Sequence, residues 1–194
     1  FLEIQKLEGA SNFGLFSRIF LSKQFSLNPA GFHYDIFKIC QDDSIKRTVI
    51  VAPRKHAKST ILTFAYPIWK GCYGSKKMNI LIISATEKYA IKWLRRIKKE
   101  FENNELILNC FGDLRTDKWS EDDIVLKNEV EIEARGRGQQ TRGLEYNIIV
   151  CDDLEDEELI RSETQMEYFE EWFDGALYNT CGFDDRVFYI GTIL

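Results

Sequence analysis

The chain has 194 residues, of which 44% are hydrophobic, and a formal net charge of −5. That length is enough to bury a proper core in one domain, or one domain with a small appendage. The absence of a long apolar run or a basic-then-apolar leader argues against a membrane span or a secretory signal, and the spacing of Cys40, Cys72, Cys110, Cys151 and Cys181 argues against a structural zinc site. The cysteines read as reduced thiols of a cytosolic protein. A start at Phe1 and a stop just after a strand-like run read as a piece of a longer chain. The charge is unevenly spread: Glu87 is the only carboxylate between Lys46 and Lys99, and Arg161 the only cation between Asp152 and Asp174.

Residues 1–27 carry Leu2, Ile4 and Leu7, then Phe13, Phe16, Ile19 and Phe20, at roughly helical spacing around a break at Gly9 to Asn12. Two short helices packed as a lid are expected. After Asn28-Pro29-Ala30-Gly31, a helix from Phe32 to Cys40 resumes with Phe32, Ile36, Phe37 and Ile39 on one face.

Thr48 to Ala52 reads as a strand, followed by Pro53-Arg54-Lys55-His56-Ala57-Lys58-Ser59-Thr60 and a helix from Ser59 to Lys70, ending near Pro67 and Gly71. A strand, a short loop and a helix opened by Lys-Ser-Thr aim backbone N–H groups and the positive end of the helix dipole at one spot. Lys58 adds a mobile cation and Ser59 a hydroxyl for Mg²⁺, so the ligand expected is a nucleoside triphosphate. Ala52 and Ala57 stand where the phosphate-loop pattern has glycine. The cradle is expected to keep negative φ at both, because Ala57 does not easily take φ > 0. Phe32 or Tyr34, just upstream, is placed either in the core or beside an adenine ring.

Asn79 to Ser84 reads as a buried strand and Thr86 to about Phe101 as a helix exposing Lys88, Lys92, Arg95, Arg96, Lys98 and Lys99, a solvated face or a track for nucleic-acid phosphates. Asp123 to Leu126 and Val130 to Ala134 alternate as an antiparallel hairpin decorating the sheet. The loop from Arg135 to Gly143 has three arginines and no carboxylate, the composition of a phosphate-binding or unstructured loop. Asn147 to Asp153 is a buried strand ending in two acids, at the sheet end where α/β folds bind ligands. An acidic helix with Met166, Phe169, Trp172, Phe173 and Leu177 follows. A last strand, Arg186 to Ile190, ends at Gly191-Thr192.

The deviant phosphate loop with Arg54 before Lys58, the Arg142-Gly143 pair, the Ile-Ile-Val-Cys-Asp152-Asp153 run and the terminal Gly191-Thr192 together resemble the ATPase domain of the large terminase subunit of tailed bacteriophages. The resemblance spans roughly Phe25 to Leu194. It implies an α/β phosphate-loop NTPase fold of the ASCE/RecA-like kind, with a mainly parallel central sheet flanked by helices plus an antiparallel hairpin. It divides the chain into a helical lid or adenine-side segment, 1–45, and an ATPase core, 46–194, without the family's C-terminal nuclease domain.

The implied activity is ATP hydrolysis with Mg²⁺, powering translocation of double-stranded DNA into a procapsid. Residues Pro53 to Thr60 would bind ATP, Lys58 at the β/γ-phosphates and Arg54 at the γ-phosphate. Ser59 and Asp152 would hold the metal. Asp153, where the family usually has Glu, or Glu155 would orient water, and Arg142 matches a finger inserted into a neighbouring subunit. Gly191 and Thr192 would couple hydrolysis to motion. The implied partners are the portal protein, the small terminase subunit and further copies in a ring, with no membrane, at the portal vertex in the host cytoplasm. Three other readings stand beside this one: a helicase-like remodeller of nucleic acid, a metal-dependent nuclease built on Asp152, Asp153, Glu155 and Glu158, and a nucleotide-binding module without turnover.

Overall fold

The computed structural model describes residues 2–74, 77–141 and 144–193. Its strands are β1 (Arg47–Pro53), β2 (Met78–Ser84), β3 (Arg115–Trp119), β4 (Asp123–Leu126), β5 (Val130–Gly136), β6 (Ile148–Asp152) and β7 (Arg186–Ile193). They form one seven-stranded sheet in the order β1-β7-β6-β2-β5-β4-β3. The first five strands in that order pair in parallel, and β4 and β3 are added antiparallel. β6 is buried at every position and β2 through its last five, as continuous apolar runs covered on both faces should be. β1 lies at the edge, where Val49 is 71% exposed.

The hairpin is present, but β5 also pairs in parallel with β2, so it extends the sheet rather than decorating it. Periodicity did not single out β3, which is short and mostly polar.

Helices α1 (Leu2–Ser11), α2 (Phe13–Phe20), α3 (Gly31–Gln41), α4 (Tyr66–Tyr73), α5 (Glu87–Asn103), α6 (Glu105–Phe111), α7 (Glu157–Ile160) and α8 (Glu163–Trp172) surround the sheet. The lid expectation is corrected for α2. Asn12 caps it by accepting from Leu15 N, and Phe13, Phe16 and Phe20 are buried in the main core, with Phe13 stacked 5.0 Å from Trp69 of α4. Ile4 and Leu7 of α1 are exposed.

The helix after the 54–57 loop passes through Pro67 and beyond Lys70, ending at Tyr73. Thr60–Ala65 is π-helical, with Tyr66 N bonded to Ile61 O, and it runs directly into α4. A proline inside a regular α-helix lacks its N–H and meets the carbonyl four residues back. The widened turn admits Pro67 and lets the helix continue to Tyr73.

α5 is fixed by the Thr86 cap and by Ala90, Leu94, Ile97 and Phe101 buried along one face. α8 and a second π-helical stretch, Phe173–Leu177, cover the other side of the sheet against Leu81, Ile83, Ile149, Cys151 and Val187. At the opposite end from the strand C-termini, the buried Arg186 guanidinium donates to the carbonyls of Ile39, Cys40 and Ile45 and to the Tyr66 hydroxyl, tying β7 to the end of α3.

Candidate active site

The residues from Arg54 to Ala57 join β1 to a helix that begins at Lys58, and their conformation differs from the sequence expectation. Ala57 has φ +55° and Lys55 φ +65°. An L-residue there costs roughly 1–2 kcal/mol, so the loop is held by its surroundings rather than by local preference. Ile61 N donates to Ala57 O, closing the first helical turn.

The bracing comes from α3. Ala30 N donates to His33 Nδ1 at 2.9 Å, which leaves His33 Nε2 to donate to His56 O at 3.0 Å. His56 Nδ1 in turn donates to Arg54 O at 2.9 Å. Phe32 packs over both imidazoles, with centroids 4.0 Å from His33 and 5.8 Å from His56, and so sits beside the loop; Tyr34 is exposed on α3. Sequence reasoning missed His33. Its position three residues after Ala30 is a cap spacing, but nothing local signals its contact with His56.

Lys58 is 5% exposed, and its ammonium donates to Ala52 O and to Pro53 O, the latter at 3.0 Å. The cation is therefore anchored at the mouth of the loop by neutral carbonyls. Ser59 Oγ donates to Asp152 Oδ1 at 2.6 Å, across 93 residues of sequence. Burial pushes the Asp152 carboxyl up to about 6, against the Ser59 hydrogen bond and with the help of the neighbouring Asp153 charge. Ser84, opposite Asp152 in the β2–β6 register, has a buried hydroxyl with no hydrogen-bond partner among the described residues. Hydroxyl and carboxylate oxygens clustered in this way suit a hard cation such as Mg²⁺.

The next acid, Asp153, has φ +46°. Thr192 Oγ1 donates to its Oδ1 at 2.9 Å, and its own N–H donates to Ile190 O at 3.1 Å. Tyr189 OH donates to Glu155 Oε1 at 2.9 Å. The carboxylates of Asp153 and Glu155 are thus both held by hydroxyls of β7, the strand that also carries Gly191. Gly191 and Thr192 pair with Val51 and Ala52 of β1, so one strand touches the Arg54–Ala57 loop on one side and the acidic loop on the other.

Two cavities meet here. One of about 540 Å³ is lined by Arg54, Ser59, Ser84, Trp93, Asp152 and Asp153 among others, and one of about 150 Å³ by Arg54, Asp153, Glu155, Tyr189 and Thr192 among others. Arg54 belongs to both walls.

The arginine loop departs from its compositional reading. Arg135 pairs with Glu133 at 2.7 Å and Arg137 with Asp156 at 3.2 Å, so both cations are committed within the chain. Arg142 and the side chain of Glu158 lie outside the described residues. The basic face of α5 is likewise thinner than its sequence suggests. Arg95 pairs with Glu121, Lys98 donates to the Trp119 and Ser120 carbonyls, and Arg96 lies over Trp93 and Phe64, leaving Lys88, Lys92 and Lys99 as its exposed lysines. Among the described residues no group of three His, Cys, Asp or Glu side chains forms a metal cage.

No protein-family profile matches this sequence, and no curated protein does. Among solved structures, the chain is similar to the large terminase of bacteriophage HK97, with a TM-score of 0.57 and 13% sequence identity. The fold is terminase-like. The similarity covers 85% of this chain and 33% of the HK97 protein, so the chain spans about a third of that terminase. At this identity the likeness speaks to the fold, a seven-stranded, mostly parallel sheet with helices on its faces.

Proposed function

We propose that this chain is an ATP-hydrolysing motor domain that drives double-stranded DNA into a viral procapsid. The observation that carries the reading is the Ser59–Asp152 hydrogen bond, which brings the start of the helix that carries Lys58 onto the acid that ends a buried parallel strand. A terminase-like fold supports it. When ATP is bound, Mg²⁺ would supply charge neutralisation at the phosphates.

In this reading the chain's own groups divide the work. Lys58 exchanges its two carbonyl partners for phosphate oxygens, which as charged acceptors bind an ammonium more strongly. Ser59 and Asp152 hold the metal, the remaining residues from Pro53 to Thr60 cradle the phosphates, and Arg54 contacts the outermost phosphate from the wall shared by the two cavities. Asp153 orients the attacking water, steadied by Thr192, and Glu155 stands behind it on Tyr189. Gly191 and Thr192 transmit nucleotide state along β7. Arg142 completes a neighbour's site in a ring of copies on the portal protein, with the small terminase subunit and DNA as further partners, at the portal vertex in the host cytoplasm.

The test is Mg²⁺-dependent phosphate release from ATP across a range of protein concentrations, beside Lys58→Ala and Arg142→Ala. Turnover per chain that rises with concentration and is lost in both variants supports the motor reading. ATP binding without release at any concentration overturns hydrolysis and favours a nucleotide-binding module. The positive φ of Ala57, where the pattern expects glycine, is the observation on that second side.

A further inference from the structure

The loop after β5 crosses the C-terminal edge of the sheet. Arg137 N donates to Ser84 O, at the end of β2, at 2.9 Å. Its guanidinium reaches further, with Nη1 donating to Leu154 O at 2.7 Å and Nη2 to Asp156 Oδ2 at 3.2 Å. Because β2 lies between β5 and β6, this one residue links the ends of three neighbouring strands.

The carbonyl it grips belongs to the residue directly after Asp153, whose φ of +46° is disfavoured for any side chain bearing a Cβ. Such a conformation persists only when its neighbours impose it. Two of those constraints, the Thr192 hydroxyl and the Ile190 carbonyl, come from β7. Arg137 supplies the hold from the opposite side of β6. We infer that Arg137 is a positioning residue for Asp153, and that it couples the glycine-arginine loop to that carboxylate.

The loop itself is anchored: Gly136 N donates to Gln139 Oε1 at 2.7 Å, and Trp172 Nε1 of α8 donates to Gln139 O at 3.3 Å. A force on this loop, from a neighbouring copy or from DNA, is therefore passed through the guanidinium to the backbone beside Asp153. Lysine reproduces the link poorly, because its single compact ammonium lacks the two separated nitrogens with which the planar fork reaches Leu154 O and Asp156 Oδ2. The coupling rests on the proposed role of Asp153 in orienting water; the mechanical hold does not.

The experiment compares the wild-type chain with Arg137→Ala, Arg137→Lys, Asp156→Asn and Lys58→Ala. Arg137→Ala is expected to lower kcat on the order of 10- to 100-fold while KM for ATP stays within about threefold, as for a displaced rather than a missing group. Arg137→Lys falls between. Asp156→Asn, which leaves the Leu154 grip and the acceptor for Leu159 N, stays within about threefold of wild type. Guanidinium ion at low millimolar concentration partly restores Arg137→Ala.

In the nucleotide-free protein, amide hydrogen exchange across residues 153–156 is expected to speed up in Arg137→Ala while β2 and β5 keep their protection. Unchanged kcat and unchanged exchange in Arg137→Ala overturn the inference. So does a parallel collapse of kcat, KM and thermal stability in both Arg137 variants, which marks a general structural prop. Should wild type and Lys58→Ala release no phosphate, the proposed function fails, and exchange alone then decides whether Arg137 holds the loop.

Discussion

Ser59 and Asp152 share a 2.6 Å hydrogen bond in which a hydroxyl at the start of a helix satisfies a carboxylate that is almost entirely buried. Ser59→Ala leaves that carboxylate with one donor fewer, which raises its proton affinity further. Phosphate release by the variant is expected to fall at least about 100-fold, while its melting temperature moves by only a few degrees. Turnover within a factor of about two of wild type would remove Ser59 from the site.

Ala57 offers a test that runs the other way. Ala57→Gly relieves the roughly 1–2 kcal/mol cost of a left-handed alanine, against about 0.4–1 kcal/mol of added unfolded-chain entropy. The net expectation is a gain of between about 0 and 1.6 kcal/mol, seen as a rise of up to about 6 °C in thermal denaturation. A fall would mean that the methyl group makes contacts worth more than the strain.

Arg186 is a buried cation satisfied by three backbone carbonyls and a tyrosine hydroxyl. Arg186→Ala strands those acceptors and is expected to destabilise by about 3 kcal/mol or more, read as a lower urea midpoint at unchanged slope. An unchanged midpoint would show that water replaces the guanidinium without loss.

Thiol chemistry gives a fourth check. Burial pushes Cys40 and Cys181 up to about 12 and raises Cys72 and Cys151 as well. Near neutral pH these groups stay protonated, and the thiol is not the reactive form. Cys110 is half-buried and is expected to label first, with Cys40, Cys72 and Cys151 reacting only at the rate of unfolding. Fast native labelling of Cys151 would contradict the burial of β6.

Much of this architecture is legible because it rests on short, strong local signals. The apolar runs of β2 and β6, and the Lys58-Ser59 and Asp152-Asp153 pairs at element ends, each carry their own information. What escaped depends on distant partners. Asp156 lies 19 residues from Arg137, outside the loop composition that made the arginines look free, whereas Glu133 is Arg135's neighbour two residues back in β5 and was within reach of the sequence. The positive φ of Ala57 is imposed on the loop from outside, and His33 reaches His56 only once α3 has docked. The dual pairing of β5 was hidden because alternation reports a strand's faces and not its neighbours. The π-helical turn before Pro67 escaped for a different reason: a widened helical turn has no local sequence mark.

The sheet order also sets a constraint on how the chain is made. β1 is an edge strand whose pairing partner is β7, and β7 is synthesised after every other strand. Until β7 emerges, β1 has nowhere to pair, and the Arg54–Ala57 loop at its end has no finished strand to stand on. The nascent chain must carry an unpaired β1 edge from the synthesis of Pro53 until Arg186 and the rest of β7 follow, an interval in which β-strands are exposed to misassociation. Deleting β7 should therefore leave a product that accumulates on holdase chaperones rather than a folded domain lacking one strand.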